Sequence, residues 1–221
     1  MRARSDLFTM SGLTGNMFLD GPAGRIEAIL KEPDGPVERA AIVCHPHPLF
    51  GGTMHNKVVY RIARTLHEAG FAVLRFNFRG VGLSEGIHDE GRGEEDDLVA
   101  AMAFLEQRYP GAELWLSGFS FGSAVMIRVA CRDNRAVGLV AVGFPVSKYE
   151  FQDLAACNLP KLFVQGSLDQ FGPVNQLEHV FSGLAEPKQL VVIDGADHFF
   201  EGHLTELGNA ISQFLDSSAA S

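Results

Sequence analysis

Short apolar runs alternate along this chain with longer segments in which apolar residues recur every three or four positions. Unbroken apolar runs predict strands that are covered on both faces, whereas the three-to-four spacing predicts amphipathic helices. The predicted strands lie at 40–44, 71–76, 114–116, 137–142, 162–165 and 190–193, and the predicted helices at 56–69, 94–108, 123–130, 174–184 and 201–215. Two alternating segments, 7–10 and 25–30, flank a turn-rich stretch at 20–24 and predict an antiparallel hairpin.

Strand and helix therefore follow one another repeatedly, which predicts an α/β fold. Parallel neighbouring strands need crossover connections, and those crossovers cover both faces of the sheet with helices. We expect about eight strands, counting the hairpin, in a mostly parallel sheet. The chain shows no internal repeat and no linker between domains, so we expect a single domain over 1–216 and a flexible tail at 217–221.

Composition narrows the range of partners. The chain has 221 residues, of which 46% are hydrophobic, and 27 acidic residues against 18 basic ones give a formal charge of -9. That charge repels polyanions, so we expect neither a nucleic-acid partner nor binding to anionic membranes. Three cysteines without paired or metal-type spacing, together with no visible secretory signal and no apolar stretch of transmembrane length, predict a cytoplasmic protein. Nothing in the sequence indicates an oligomeric state.

Three residues of complementary chemistry each follow a predicted strand. Ser120 lies in a G-x-S-x-G pattern at 118–122, Asp169 follows the run at 162–165, and His198 follows the run at 190–193. In an open parallel sheet, ligands bind beyond the carboxyl ends of the strands, so these side chains are expected to meet. The two glycines of this pattern, Gly118 and Gly122, fit a turn so tight that side chains at these two positions would collide.

The pattern predicts nucleophilic catalysis. A serine hydroxyl needs a neighbouring base, which is itself oriented by a carboxylate. His198 is the predicted base and Asp169 the predicted acid. Asp194 and Asp197 are alternatives for the acid, but a residue in the same turn as His198 has difficulty reaching across to orient its ring.

On the basis of these residues and their order, the chain resembles an alpha/beta-hydrolase over about 25–215. More narrowly, HPHPLFGG at 45–52 and FRGVGLSEG at 78–86 are similar to a group of small bacterial hydrolases of that superfamily. The resemblance implies an oxyanion hole formed by the backbone N–H groups of His47 and Phe121, with Pro46 where the family usually has glycine. Many members of that superfamily insert a helical lid after the sixth strand. In this chain only 144–160 lie between the predicted strand at 137–142 and the next one, so we expect an open cleft with a minimal lid or none.

The resemblance implies a carboxylesterase-like enzyme that acts on a small ester through an acyl-enzyme on Ser120, without a cofactor. Phe50, Phe119, Phe171 and Phe199 flank the motifs and are candidates for a substrate pocket. An acyltransferase, a serine peptidase, or a non-catalytic ligand-binding protein of the same fold are the alternatives.

Other motifs suggest chemistry more weakly. His45 and His47, with His55, could bind zinc, but we expect no metal and expect His45 to brace its loop through hydrogen bonds. The glycines of 80–82 resemble the start of a dinucleotide fingerprint, but the third glycine is missing. The acidic run 94–97 falls in the first turn of a predicted helix, where the helix dipole stabilises negative charge.

Overall fold

An eight-stranded sheet forms the centre of the computed structural model, which describes residues 15–148 and 152–219. The strand order is β1-β2-β4-β3-β5-β6-β7-β8. β1 pairs antiparallel with β2, and β2 with β4, while all the other neighbours are parallel. The strands are β1 Gly15–Gly21, β2 Gly24–Lys31, β3 Arg39–Cys44, β4 Ala72–Phe76, β5 Glu113–Phe119, β6 Ala136–Val142, β7 Lys161–Gly166 and β8 Lys188–Ile193.

Helices cover both faces of the sheet and create two separate hydrophobic cores. The helices are α1 Lys57–Glu68, α2 Arg92–Arg108, α3 Phe121–Ala130, α4 Gln152–Ala155, α5 Val174–Ser182 and α6 Leu204–Ala219. The apolar residues of α1 and α6 share a core with one face, and those of α2, α3 and α5 share a core with the other. This arrangement confirms the predicted fold, an alpha/beta-hydrolase fold without a substantial lid.

The register of the parallel strands brings the predicted motif residues to one edge. Cys44, the last residue of β3, lies opposite Gly118 of β5, and Gly166 of β7 lies opposite Ile193 of β8. The loops that begin at 45, 120, 167 and 194 therefore leave the sheet side by side. Among the described residues, no helix is both long and apolar enough to cross a membrane.

The structure differs from the sequence predictions at both ends of the chain. The strand that pairs with β2 is Gly15–Gly21, while the predicted strand at 7–10 lies outside the described residues. The last helix continues through Ala219, so the predicted tail is helical over 217–219. The Ser217 and Ser218 hydroxyls donate to the Phe214 carbonyl and so remain within the helical hydrogen-bonding pattern.

The acidic run at 94–97 anchors the loop that follows β4. The buried carboxylate of Asp97 accepts hydrogen bonds from the backbone N–H and the guanidinium of Arg79 at 2.8–3.1 Å. Buried Glu94 accepts from the Gly91 N–H at 2.7 Å and pairs with His88 Nδ1 at 2.8 Å. Glu94 and Asp97 therefore do more than interact favourably with the helix dipole, because they also hydrogen-bond to the loop that follows β4.

The glycines of 80–82 belong to the same anchored loop. A Cβ atom at Gly82 would lie 2.4 Å from a Glu27 carboxylate oxygen and 2.5 Å from the Asn77 amide nitrogen. Glycine is required at position 82 because the backbone there lies directly against these buried side chains of the protein. The loop at 80–82 therefore packs directly against Glu27 and Asn77.

We expect Asp97→Ala to lower the free energy of unfolding by about 3 kcal/mol, because it leaves the Arg79 guanidinium without its charge partner in a mostly buried position. Urea unfolding followed by circular dichroism measures the change. Glu106→Ala is the matched control on the same helix, since Glu106 is 62% exposed and 3.7 Å from Arg135. Its effect should stay within about 0.5 kcal/mol. Equal effects of the two variants would contradict the anchoring role.

Candidate active site

Ser120 occupies a sharp turn between β5 and α3. Its φ of 54° and ψ of -121° place it in a region that non-glycine residues rarely adopt. A Cβ atom at Gly118 would lie 2.5 Å from the carbonyl carbon of Gly122, and a Cβ at Gly122 would lie 2.5 Å from the Cys44 carbonyl oxygen. Because both contacts are with backbone, only glycine fits at either position. The turn holds the half-buried Ser120 hydroxyl at the carboxyl edge of the sheet.

The structure brings Ser120, His198 and Asp169 into one hydrogen-bonded chain. His198 Nε2 lies 3.0 Å from Ser120 Oγ, and His198 Nδ1 lies 2.7 Å from Asp169 Oδ2. His198 and Asp169 are 3% and 4% exposed. With Nδ1–H donating to the carboxylate, Nε2 is left to accept the serine proton.

Asp169 is held by four hydrogen bonds. Besides His198, its Oδ1 accepts from the backbone N–H groups of Phe171 at 2.8 Å and Gly172 at 3.0 Å, and its Oδ2 accepts from Gln165 Nε2 at 2.9 Å. These donors fix the orientation of the carboxylate and favour its negative charge. A donor set of this kind suits an acid that orients a histidine ring.

Gln165 is a positioning residue that the sequence analysis missed. Its amide is fully buried, and besides Asp169 its Nε2 contacts the Gly172 carbonyl at 2.7 Å, while its Oε1 accepts from the Phe144 N–H at 2.9 Å. It thus ties the acid loop to the segment after β6. The available signal was a glutamine in an otherwise apolar run, four residues before the predicted acid.

The two alternative acids have other partners. Asp197 Oδ1 accepts from the backbone N–H groups of Phe199 at 3.0 Å and Glu201 at 3.1 Å, and so shapes the turn that carries His198. Asp194 Oδ1 accepts from the Ser167 hydroxyl at 3.3 Å. Of the three aspartates, only Asp169 contacts the His198 ring.

The 45–52 segment lies beside the Ser120 turn. The rings of His47 and Phe121 are 4.9 Å apart, and a short 3₁₀ helix at Pro48–Phe50 follows His47. Phe121 is the first residue of α3, so its N–H lacks an acceptor within that helix. Neither this N–H nor that of His47 has an acceptor among the residues the structure describes. Both are therefore open donors in the neighbourhood where the resemblance places the oxyanion hole.

His45 braces the start of this segment from inside the protein. Its ring is completely buried, with Nδ1 2.6 Å from the Pro46 carbonyl oxygen and Nε2 accepting from the Phe78 N–H at 3.0 Å. Burial lowers the pKa of His45 to about 4. Both ring nitrogens are engaged, which leaves neither for the suggested zinc site. Within the described part of the chain, no three His, Cys, Asp or Glu side chains are grouped as metal ligands would be.

A cleft of about 310 Å³ opens above the Ser120 and His198 side chains. Its walls are largely apolar and include three of the four predicted phenylalanines, Phe50, Phe171 and Phe199. The prediction for Phe119 was wrong: its side chain is completely buried at the end of β5 and does not line the cleft. Its ring centroid lies 5.1 Å from that of His198, so it supports the histidine from below.

The chain belongs to the alpha/beta hydrolase family. The family model described as an alpha/beta hydrolase domain matches residues 41–220, which include the Ser120 turn and both of its partners. The protein RP471 of Rickettsia prowazekii is 38% identical over 208 residues, which cover 90% of this chain and 87% of the relative. Membership of this family supports a hydrolase.

Two solved structures share this fold at substantial identity. An alpha-beta serine hydrolase homologue from Coxiella burnetii is 39% identical, with a TM-score of 0.86 over 90% of this chain and 96% of the other. XC6422 from Xanthomonas campestris, described as a serine hydrolase without a lid, is 35% identical, with a TM-score of 0.86 over 92% and 94% of the two chains. The narrower group suggested by the 45–52 and 78–86 motifs stays a prediction.

The lowered pKa of His45 makes a prediction about stability. The folded state resists protonation of this ring and the unfolded state does not, so stability is complete above the ordinary pKa of 6.5 and falls as pH drops towards about 4. Between about pH 7.5 and pH 5, this one group should cost about 2 kcal/mol. His45→Gln, which can donate to Pro46 and accept from Phe78, should remove that part of the pH dependence.

Urea unfolding at the two pH values, compared between wild type and variant, measures this difference. His55→Gln is the control, because His55 lies in the same loop region but is exposed, and it should keep the wild-type pH dependence. An unchanged pH dependence in His45→Gln would show that His45 is not the titrating group.

Proposed function

We propose that this protein is a serine hydrolase that cleaves a small carboxylic ester through an acyl-enzyme on Ser120. The observation that carries the proposal is the continuous chain from Ser120 Oγ through the His198 ring to Asp169, with contacts of 3.0 and 2.7 Å. A serine in an ordinary turn needs neither a strained backbone nor a histidine that is itself oriented by a buried acid.

In the acylation step, Ser120 Oγ attacks the ester carbonyl carbon while His198 Nε2 takes the hydroxyl proton. Asp169 favours the imidazolium that forms, because its carboxylate accepts the Nδ1–H. The carbonyl oxygen becomes negative and accepts hydrogen bonds from the His47 and Phe121 N–H groups. Each such donor typically stabilises the transition state by roughly 3–4 kcal/mol.

The intermediate collapses when His198 returns its proton to the departing alcohol oxygen, which leaves the acyl group on Ser120. In deacylation a water molecule attacks the acyl carbon, His198 takes a proton from that water, and the proton passes to Ser120 Oγ as the carboxylic acid leaves. The same three side chains therefore serve both halves of the cycle.

The cleft supports a small substrate and water as the acceptor. Its volume of about 310 Å³ is at the lower end of the range for small-molecule sites. Phe50 at its rim is 80% exposed, and within the described residues no long insertion after β6 closes over the opening. An uncovered serine admits water readily, which favours hydrolysis over transfer of the acyl group to another acceptor.

Replacing Ser120 by alanine should reduce hydrolysis of p-nitrophenyl butyrate by at least about 10⁴-fold, because the nucleophile is removed while the base remains. Circular dichroism should show an intact fold. A fluorophosphonate probe should label wild type at Ser120 and leave Ser120→Ala unlabelled. Ser147→Ala is the control, since Ser147 is an exposed serine near the cleft, and it should still be labelled. Undiminished turnover in Ser120→Ala would refute the proposal.

The choice of acid predicts a second contrast. Asp169→Asn should lower kcat by about 10³- to 10⁴-fold, because an amide no longer holds the His198 ring in the tautomer that accepts the serine proton. Asp194→Asn removes the same charge nearby, but its carboxylate contacts Ser167, and activity should stay within about twofold of wild type. Steady-state kinetics measure kcat for both variants. A larger loss of kcat in Asp194→Asn than in Asp169→Asn would assign the role of the acid to Asp194.

A further inference from the structure

We propose that the cleft selects esters that carry a carboxylate, and that Lys148 is the residue that binds this carboxylate. The inference rests on the proposed function, since it names the substrate class of the same site. It is carried by the exposed ammonium group of Lys148, which lies in a largely apolar cleft with no acidic side chain among the described residues that line it.

Lys148 lies in the segment that follows β6, where its backbone N–H donates to the Pro145 carbonyl at 3.0 Å. Its side chain lines the same cleft as Ser120 and His198. The Nζ atom is 5.4 Å from the centroid of the Phe171 ring, and that ring is in turn 4.7 Å from the His198 ring. The ammonium is therefore within reach of a substituent on an ester held at Ser120.

Lys148 differs from other lysines of the chain in its partners. Lys57 pairs with Glu201, and Lys161 donates to the Ala185 and Pro187 carbonyls. For Lys148 the structure shows the Phe171 ring, and over the described residues it forms no ion pair with a carboxylate. An exposed ammonium with no ion-pair partner among the described residues can bind a carboxylate of the substrate without first breaking an ion pair to one of them.

The surroundings of the cleft favour an anion. No aspartate or glutamate lines it among the residues that the structure describes. Ser120 and Asn56, which precede the first turns of α3 and α1, both line it, and the amino terminus of a helix carries partial positive charge. The pKa of His47 is lowered chiefly by burial and further by His88 and Lys148, while Glu94 raises it. The charge on Lys148 is therefore felt at the oxyanion segment.

One lysine suits a carboxylate better than a phosphate group. An ammonium is a single point charge with three donors, whereas phosphate recognition commonly uses several donors or a bidentate arginine. No arginine lines this cleft. In a chain with a formal charge of -9, the long-range field disfavours anions, so one local cation has a large influence on which anions enter.

The test is the ratio of kcat/KM for matched esters that differ only in charge. Mono-p-nitrophenyl adipate and p-nitrophenyl hexanoate compare a carboxylate with a methyl group at the end of an equally long acyl chain. A second pair, meta-carboxyphenyl and meta-carbamoylphenyl butyrate, places the charge on the alcohol side. In at least one pair, wild type should prefer the anionic ester by about fivefold, as expected for a partly solvated ion pair.

Lys148→Gln should abolish this preference, Lys148→Glu should invert it, and Lys148→Arg should retain most of it. Lys31→Gln is the matched control, because it makes the same change in net charge. Lys31 is exposed and pairs in register with Val73 near the start of β4, at the opposite end of the sheet. This control should keep the wild-type ratio. Raising the salt concentration should weaken the preference in wild type and in Lys31→Gln, and should have no such effect in Lys148→Gln.

The outcomes separate this inference from the proposed function. If the neutral esters are hydrolysed but the ratio does not change in Lys148→Gln, or if wild type shows no preference for either anionic ester, Lys148 has no such role while the hydrolase assignment stands. If Lys31→Gln shifts the ratio as much as Lys148→Gln, the effect is one of net charge and the inference is wrong. If neither neutral nor anionic esters react and Ser120 is not labelled, both proposals fail.

Discussion

The contact between the turn at 118–122 and the end of β3 is the constraint on which the rest of the site depends. The Cys44 carbonyl oxygen leaves no room for a side chain at Gly122, and Gly122 leaves none at Gly118. This close approach forces Ser120 into its positive φ, and strain of that kind costs roughly 1–3 kcal/mol. Local hydrogen bonds offset it, since the Ser120 N–H donates to the Val142 carbonyl at 2.9 Å and the Ser123 hydroxyl donates to the Ser120 carbonyl at 2.6 Å.

The same constraint explains why so many polar groups are buried around the site. A turn that tight holds its position only if the neighbouring loops are equally fixed, and loops at a strand edge carry unpaired backbone groups. His45 pairs with groups of the 45–52 and 78–86 segments, and Gln165 joins the acid loop to the segment after β6. Each buried polar atom in this set has a partner, which is the condition under which such networks rigidify a site.

Local pattern was enough to predict most of the fold, and three-dimensional packing accounts for what it missed. Buried parallel strands and amphipathic helices each have their own period, so β3 to β8 and five of the six described helices were predicted to within a few residues, while the short α4 was not predicted. β1 was not predicted because Gly15–Gly21 contains glycine and polar residues, and its pairing with β2 makes it a strand. Phe119 and Phe121 look equivalent in sequence and both are buried, yet only Phe121, the first residue of α3, is among the residues that line the cleft. The strand-end rule predicted that Ser120, Asp169 and His198 lie together. It could not predict the roles of Gln165 and Lys148, because those roles depend on which loops face each other.

The arrangement of charged groups at the site depends on which side chains are buried there more than on the overall composition of the chain. The Asp169 carboxylate lies below the cleft surface, where four donors surround it, and no acidic side chain is among the described residues that line the opening. The buried negative charge is directed at the His198 ring, while the solvent-facing wall carries the ammonium of Lys148. A substrate anion therefore meets the cation first and is separated from the acid by the imidazole. In the proposed mechanism, this separation lets one small cleft stabilise an imidazolium on one side and an oxyanion on the other, although the protein as a whole is acidic.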